Sequence, residues 1–402
     1  MRDTVWVMAS SEIVYNSQVV ECFSPDSIDI SIRDLNNDCF TGATAAFSGL
    51  SHLQELGYQV SRMDDVKKIR QYRNIVMNSG CFGRLGEFRD EKLPHSRCVM
   101  MCHAVDTAIG AGDKAPHWYL FASQRQAEIK ERNKVSLSDN ARLFSYLMSL
   151  PPAVRDEFTY SGPYHIGRWS ERRHEPKASL QQELAETYGY SLAPNKPVVA
   201  FLEDEYCHEQ QVIDGLKRLA PHVNLVVKGR DLLSIPGVFV YPNYAYAPNL
   251  LRFAADYILA GYHSGTLASS TMLGLPVVPY YTTMVFYKGG RFVGKRARYT
   301  CYLERTPGKN DMCLDILESL NSPVDLQNTE ALLERFSDGA WWAEYSRRLP
   351  AVQQAIFGNY TIDGAAEKTA QLIKRVFEQE TFGEATTAVR LRPEAGRVVK
   401  IR

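Results

Sequence analysis

The sequence has no long apolar run, no excess of charge and few cysteines, and each absence excludes a class of protein. No apolar stretch approaches the roughly 18–20 residues of a membrane-spanning helix. Lys and Arg total 46, as do Asp and Glu, so the basic excess of a general nucleic-acid binder is missing. Residues 1–11 are too short and too broken in their apolar stretch for a secretory signal. We therefore expect a cytoplasmic protein with no nucleic-acid partner and no transmembrane segment.

Eight cysteines in 402 residues are too few for a disulfide scaffold. Cys98 and Cys102 lie close to His95 and His103, but no C-x-x-C pair accompanies them, so the spacing of a zinc site is missing. The segment Arg97–Cys102 is apolar and typical of a buried strand, where cysteine acts as a small hydrophobe. We favour this structural interpretation over zinc and expect no metal.

Several catalytic motifs are absent as well. No G-x-x-x-x-G-K-[ST] phosphate loop occurs, and no G-x-G-x-x-G follows the first strand of either half. A G-x-S-x-G elbow and an H-E-x-x-H metal motif are also missing. These absences disfavour NAD chemistry and P-loop hydrolysis.

The chain does contain strand-length apolar runs that alternate with longer helical patterns. This alternation favours an α/β architecture with parallel sheets. One series runs from a strand at Thr4–Ala9 to one at Phe158–Ser161, and a second runs from Val198–Leu202 to Pro276–Tyr280. Helical patterns follow, and the last of them, Asp363–Glu380, carries an apolar stripe that we interpret as a core-packing face.

The richest segment for chemistry is 260–278, where a strand ends in a turn of small residues and a helix begins. Unpaired backbone N–H groups and the positive end of the helix dipole make such a terminus an anion site. A capped helix with no ligand is an equally weighted alternative. The candidate residues are His263, Ser264, Gly265 and Thr266, with Ser269 and Ser270 one turn further along the helix.

A second candidate group follows the strand that ends at Lys228. Lys228 and Arg230 project to the same side by strand alternation, and these two cations favour the charged form of Asp231. A carboxylate nucleophile beside two cations is what glycosyl transfer from an anionic donor requires. A surface ion pair at the end of a strand is the alternative.

Three further groups of residues are weaker candidates for the functional site. Glu203 and Glu205 follow the first strand of the second series, at the end where open α/β sheets bind ligands, and a solvated acidic loop is the alternative. Gly42 and Thr44 belong to a helix start of small residues, which suits either close approach of a substrate or plain helix packing. Glu157 is a candidate acid or base only through its place before the last strand of the first half.

The two Rossmann-like halves resemble the GT-B glycosyltransferase architecture. The segment 255–278, with Gly261-Tyr-His-Ser-Gly-Thr266 and Met272-Leu-Gly-Leu-Pro-Val-Val278, is similar to the nucleotide site of teichoic-acid glycerophosphotransferases and of capsule CMP-sugar transferases. Together with Lys228-Gly-Arg-Asp231, it most resembles the retaining β-Kdo glycosyltransferases, which use CMP-β-Kdo to build or cap lipopolysaccharide O-antigen and capsule glycans. One departure is that many CMP-sugar enzymes carry Lys-x-His-Pro where Lys228-Gly-Arg-Asp231 stands here.

The resemblance implies a division of the chain into five parts. Residues 1–165 are a Rossmann-like acceptor-side domain, 166–195 a hinge or linker, and 196–345 a Rossmann-like nucleotide-sugar domain across a cleft from the first. Residues 346–380 are helices that pack back on the N-terminal domain, and 381–402 are a tail. The resemblance also implies one module of a larger polypeptide or assembly that could associate peripherally with the inner membrane.

The function implied is retaining, metal-independent transfer of Kdo from CMP-β-Kdo to a lipid-linked bacterial surface glycan. Asp231 would form a covalent adduct, Lys228 and Arg230 would face the donor's carboxylate or phosphate, and the His263–Thr266 segment would hold the CMP phosphate. A CDP-glycerol-type phosphotransferase, which needs a histidine base, is one alternative. A non-catalytic module that binds nucleotide or glycan is the other.

Overall fold

A computed structural model describes separate segments in both halves of the chain. The described residues are 2–8, 13–32, 51–62, 66–69, 71–78, 97–101, 118–120, 170–202, 210–228, 235–241, 249–261, 265–288, 291–297, 320–358 and 362–378. They fall into two compact units. The first contains the described residues up to 120 and those from 357 onward, and the second contains 170–356.

The first unit is built on a six-stranded parallel sheet. Its strands are β1 (Thr4–Met8), β2 (Ile28–Ile32), β3 (Gln59–Arg62), β4 (Asn74–Asn78), β5 (Arg97–Met101) and β6 (Trp118–Leu120), with helices α1 (Ile13–Glu21) and α2 (Val66–Ile69) between them. The strand order is β3-β2-β1-β4-β5-β6, with every pair parallel. This is the order of the doubly wound nucleotide-binding fold.

The second unit repeats this arrangement. Its sheet contains β7 (Val198–Leu202), β8 (Asn224–Lys228), β9 (Phe239–Tyr241), β10 (Tyr257–Gly261), β11 (Val277–Tyr281) and β14 (Val324–Asp325). The order is β14-β11-β10-β7-β8-β9, again parallel throughout, so the two sheets share one topology. The structure thus confirms the predicted α/β fold with two Rossmann-like halves.

The helices of the second unit precede and follow these strands in sequence. They are α3 (Lys177–Tyr188), α4 (Gln210–Leu219), α5 (Asn249–Ala254), α6 (Gly265–Met272), α7 (Thr329–Ser337) and α8 (Gly339–Phe357). Between β11 and β14 an antiparallel pair, β12 (Thr283–Lys288) and β13 (Arg291–Ala297), forms a separate two-stranded sheet.

The core of the second unit follows from continuous apolar strands. All five residues of β7 are buried, as expected for a central strand covered on both faces. One face of α4 packs on this sheet through Val212, Leu216 and Leu219, which recur at helical spacing. The sheet is therefore held rigidly where its strands end.

The last helix, α9 (Ala365–Glu378), belongs to the first unit and packs on α1. Its apolar stripe is buried as predicted, with Ala370 and Ile373 at most 1% exposed. Lys374 Nζ donates to the Cys22 carbonyl at 3.0 Å and lies 4.8 Å from the ring centroid of Phe23. The chain therefore returns to its first unit after completing the second.

Two predicted boundaries differ from the structure. The stretch 166–195 was predicted as a hinge or linker with a helical centre at Ala178–Tyr188. That helix is found as α3, but it packs on α5 within the second unit, where Gln181 Nε2 donates to the Ala254 carbonyl at 2.9 Å. Residues 346–356 were predicted to pack on the N-terminal domain, but they belong to α8 and to the second unit. In both cases polar side chains make hydrogen bonds that the apolar pattern does not reveal. The predicted tail 381–402 lies outside the described residues.

Within the described part of the chain, none of the helices has both the length and the apolar character needed to cross a bilayer.

Candidate functional site

The second sheet changes direction of winding between β7 and β10. Strand β7 has β8 and then β9 on one side, and β10 and then β11 on the other. The chain therefore first adds strands on one side of β7 and then crosses to add the rest on its other side. Open α/β sheets bind their ligands beyond the carboxyl ends of the strands at such a switch point. We therefore take the ends of β7, β8 and β10, at Leu202, Lys228 and Gly261, as the candidate site and call it the carboxyl edge.

The strand register brings the ends of β8 and β10, where the predicted donor-binding segments begin, to this one edge. Leu202 pairs with Lys228 on one side and with Ala260 on the other. Neighbouring strands lie about 4.8 Å apart, so the backbones at Lys228 and Ala260 are separated by about 10 Å. Lys228 is half-buried at this position. A single nucleotide-sized ligand can therefore contact both strand ends.

Helix α6 begins at the same edge. Gly265, its first residue, comes four residues after Gly261, the last residue of β10. The helix packs on β10 and β11 and begins four residues after β10 ends, so its N-terminus lies by the carboxyl ends of these strands. Thr266, in the first turn, is half-buried. The order of strand, turn and helix agrees with the sequence, and the anion site at this helix start stays a prediction.

Ser269 and Ser270 have a different place from the one predicted. Both are buried, at 2% and 0% exposure, and both accept hydrogen bonds from Arg252 Nη1, at 3.4 Å and 3.0 Å. Ser269 Oγ also donates to the Thr266 carbonyl at 3.1 Å. They were predicted as outer donor-binding residues, but these hydroxyls join α6 to α5 because they lie on the buried face of the helix.

Arg252 itself was not predicted as a site residue. It lies on α5 and is only 4% exposed, so its charge is held against the middle of α6, at Ser269 and Ser270. A buried cation in this place adds positive potential to the helix N-terminus and fixes its position. No sequence motif marks it, since an arginine in a short helix is ordinarily exposed.

The other end of α6 is fixed by α8. Tyr345 Oη donates to the Leu275 carbonyl at 3.0 Å, and burial raises the pKa of Tyr345 far above its usual value, so the donor proton is retained. Gln353 Nε2 donates to the carbonyls of Thr271 and Met272, at 3.0 Å and 2.9 Å. These bonds satisfy carbonyls at the helix end that have no partner within the helix. Helix α6 is thus held at its middle by Arg252 and at its C-terminal end by α8, which orients its N-terminus.

Tyr241 ends β9 and pairs in register with Lys228. The loop that it begins is rich in tyrosine, a composition that suits either stacking on a nucleotide base or covering the sheet edge. Tyr241 is 2% exposed, and its ring centroid lies 4.9 Å from that of Tyr188, so this residue belongs to the core. Burial is also the main reason that its pKa is raised. The rest of the loop, 242–248, lies outside the described residues.

Several predicted site residues lie outside the described part of the chain. They are Asp231, Arg230, Glu157, His263, Ser264, Glu203, Glu205, Gly42 and Thr44. The neighbouring elements fix where three of the segments that contain them start: 203–209 follows β7, 229–234 follows β8, and 262–264 joins β10 to α6. Among the residues that are described, no group of three or more His, Cys, Asp or Glu side chains could hold a metal ion.

Comparison with known proteins identifies the fold. No protein-family model matches the sequence, and no curated protein matches it in sequence. One structure of the wall teichoic acid polymerase TagF has a TM-score of 0.56 at 10% identity, covering 94% of this chain and 89% of that one. A TagF structure soaked with CDPG gives 0.55 at the same identity and coverage.

UDP-GlcNAc 2-epimerase from Neisseria meningitidis, bound to UDP-GlcNAc, is similar over 93% of this chain and all of that one. The TM-score is 0.53 and the identity is 12%. At such identities the similarity establishes the fold, which is the GT-B fold of two parallel-sheet α/β domains.

Proposed function

We propose that this protein is a glycosyltransferase that moves Kdo from CMP-β-Kdo to a bacterial surface glycan, with retention of configuration and without a divalent metal. The observation that carries the proposal is the switch point of the second sheet. There the register brings the ends of β8 and β10 to one edge, α6 starts four residues after β10, and the buried Arg252 is hydrogen-bonded to the middle of that helix.

The charges at this edge suit a donor with two anionic groups. CMP-Kdo carries a phosphate and a carboxylate. The N-terminus of α6 offers backbone N–H groups to the phosphate, as helix termini do for anions in this class of sheet. Lys228 supplies a cation at the end of β8, two strand spacings or roughly 10 Å from the end of β10, the strand that leads into α6. The two anions of one donor therefore have separate partners, and the same groups offset the charge that grows on the leaving phosphate.

Retention follows from two displacements at the anomeric carbon. A carboxylate oxygen of Asp231 attacks this carbon as the bond to the phosphate oxygen breaks, and CMP leaves with the bonding electron pair. An acceptor hydroxyl then attacks the same carbon from the opposite face and loses its proton to a base, for which Glu157 is the candidate. The bond to Asp231 breaks, and its carboxylate is restored. Asp231 comes three residues after the end of β8, which supports its assignment to the edge.

A CDP-glycerol-type phosphotransferase is the second candidate, and the similarity in fold to TagF favours it. In that reaction the acceptor hydroxyl attacks a phosphorus atom, so a base is needed and no adduct on Asp231 forms. His263 is the natural base, because it lies between β10 and α6, next to the anion site.

Two donors separate these candidates. The protein is incubated with CMP-Kdo and, separately, with CDP-glycerol, and CMP release is followed with a glycan acceptor present. Release from CMP-Kdo alone, with a β-linked product by NMR, supports the first proposal. Release from CDP-glycerol alone, lost in His263→Ala, supports the second. CMP binding without turnover of either donor would instead indicate a non-catalytic binding module.

A further inference from the structure

Strand β11 extends one residue beyond β10 at the carboxyl edge. The register pairs Gly261, the last residue of β10, with Tyr280, so Tyr281 lies past the end of that neighbouring strand. The backbone is still regular at this point, because Tyr281 pairs with Asp325 of β14 and its carbonyl accepts a hydrogen bond from Leu326 N at 3.0 Å. Strand alternation therefore determines the face on which the Tyr281 side chain lies.

Tyr281 lies on the face of the sheet that α6 covers. The preceding residue, Tyr280, lies on the other face, since it belongs to the core cluster that includes α4 and its ring centroid is 5.5 Å from that of Phe201. None of the described residues of α6 belongs to that cluster, although α6 packs on β10 and β11. Tyr281 thus shares a face with α6 at the edge where this helix begins, and its side chain is half-buried there.

Lys228 lies on the same face, on the far side of the start of α6. Val227 belongs to the α4 cluster, so alternation places Lys228 on the opposite face, with α6. In the order β11-β10-β7-β8, three strand spacings, or roughly 14 Å, separate the ends of β11 and β8. Because α6 follows β10, an aromatic ring lies to one side of its start and a cation to the other.

We propose that Tyr281 stacks on the base of the bound nucleotide. With the phosphate at the start of α6 and the transferred group towards Lys228, the nucleoside occupies the opposite side, which is the side of Tyr281. An aromatic ring held at a strand end offers a face to a base, and such stacking accepts any base, so Tyr281 positions the nucleoside without selecting cytosine. The proposal rests on the proposed function only in that the donor is a cytidine nucleotide, which CMP-Kdo and CDP-glycerol share.

Calorimetry with two ligands tests this assignment. CMP and ribose 5-phosphate both carry a ribose and a phosphate, but only CMP carries a base. The wild-type protein should bind CMP at least about 10-fold more tightly than ribose 5-phosphate, and Tyr281→Ala should lower the CMP affinity by about 10-fold. The same variant should keep its ribose 5-phosphate affinity within about twofold. Tyr281→Phe retains the ring and should bind CMP as the wild type does.

Tyr257→Ala is the matched control. Tyr257 is also half-buried and lies in the neighbouring strand, but it is the first residue of β10, roughly 13 Å along the strand from the carboxyl edge. Its ring stacks on Phe336 at a centroid distance of 4.8 Å, so the substitution also removes tyrosine packing. The CMP affinity of this control should change by less than about twofold. Thermal unfolding verifies that each variant is folded.

Three results would each overturn the proposal. Equal losses of CMP and ribose 5-phosphate affinity in Tyr281→Ala would show that Tyr281 acts on the helix start or the phosphate and not on the base. A loss in Tyr281→Phe as large as in Tyr281→Ala would assign the contact to the hydroxyl group. Equal affinity of the wild-type protein for the two ligands would contradict base stacking even if Tyr281→Ala does not fold.

The same titrations separate this inference from the proposed function. CMP binding that Tyr281→Ala leaves unchanged would refute the role of Tyr281 alone, and the nucleotide site would stand. If the wild-type protein binds neither CMP nor ribose 5-phosphate, the proposed donor site is wrong, and the stacking role of Tyr281 is refuted with it.

Discussion

The hydrogen bonds from Arg252 to α6 allow the effect of Arg252→Met to be worked out. The guanidinium donates to Ser270 Oγ at 3.0 Å and, through a longer contact of 3.4 Å, to Ser269 Oγ. A hydrogen bond from a charged group contributes about 1.5–3 kcal/mol, and the longer contact contributes little. Methionine fills a similar volume, so the cavity is small. We expect the free energy of unfolding of the second unit to fall by about 2 kcal/mol.

Urea unfolding measures this change, with Trp341 and Trp342 as fluorescent reporters within the second unit. Arg347→Met on α8 is the matched control, because Arg347 is 73% exposed and pairs only at the surface with Glu344. That variant should change stability by less than about 0.5 kcal/mol. If Arg252 also positions α6, its replacement should weaken CMP binding and the control should not. Equal stability of the two variants would show that Arg252 does not hold α6.

Three further predictions concern packing, alkaline stability and the phosphate site. Gly215→Ala places a Cβ 2.7 Å from Leu326 Cγ and 2.8 Å from the Leu326 carbonyl oxygen, so it should destabilise by about 1–3 kcal/mol in urea unfolding. Gly339→Ala, where nothing lies within 4 Å, should be nearly neutral, and equal effects would contradict the close packing. Burial raises the pKa of Tyr58 to about 12, and its hydroxyl donates to the Val20 and Phe23 carbonyls at 3.0 Å and 2.7 Å. Because the folded pKa lies above the unfolded value of about 10, this contribution is complete below pH 10 and is lost as the pH rises to about 12. Tyr58→Phe should therefore flatten the fall in urea midpoint over that range, and an unchanged slope would refute the assignment. Ser264→Ala with Thr266→Ala removes two hydroxyl donors and should weaken CMP binding in calorimetry by about 30-fold, at about 1 kcal/mol for each hydroxyl. Unchanged affinity would exclude this segment from the phosphate site.

The strands of the second sheet could be predicted closely from the sequence. Val198–Leu202 and Asn224–Lys228 agree with the structure to the residue, because both are unbroken apolar runs or nearly so in a sheet that is buried on both faces. Helix α6 was predicted at Thr266–Leu273 and is found one residue earlier, at Gly265–Met272. In these segments the apolar pattern and the secondary structure indicate the same element, so the local sequence is enough to predict it.

The helices after β14 could be predicted only in part. A single helix was expected over Thr329–Arg347, but the chain breaks at Asp338, whose carboxylate accepts a hydrogen bond from Trp341 N at 2.9 Å and starts a new helix. The Asp338-Gly339 pair was a visible signal for this break. Helix α8 then continues through Pro350 to Phe357, since its packing in the second unit outweighs the helix-breaking tendency of proline.

The parts of the candidate site that depend on the order of strands and helices could be predicted from the sequence. The parts that depend on how helices pack against one another could not. The strand end at Lys228 and the helix start at Gly265 follow from the order of elements. The burial of Arg252, and with it the inward direction of Ser269 and Ser270, depends on how α5 and α6 meet in three dimensions. The antiparallel pair β12–β13 was not predicted either, because its strands mix basic and aromatic residues without a regular apolar alternation.

The proposed double displacement is tested most directly by mass spectrometry of the protein incubated with CMP-Kdo and no acceptor. The wild-type protein should gain one Kdo, mapped by peptide sequencing to Lys228–Leu232. Asp231→Asn should bind CMP normally, gain no Kdo and lose several orders of magnitude in transfer rate, because an amide is a poor nucleophile. Near-normal transfer by a folded Asp231→Asn protein, or an adduct on another residue, would contradict the mechanism.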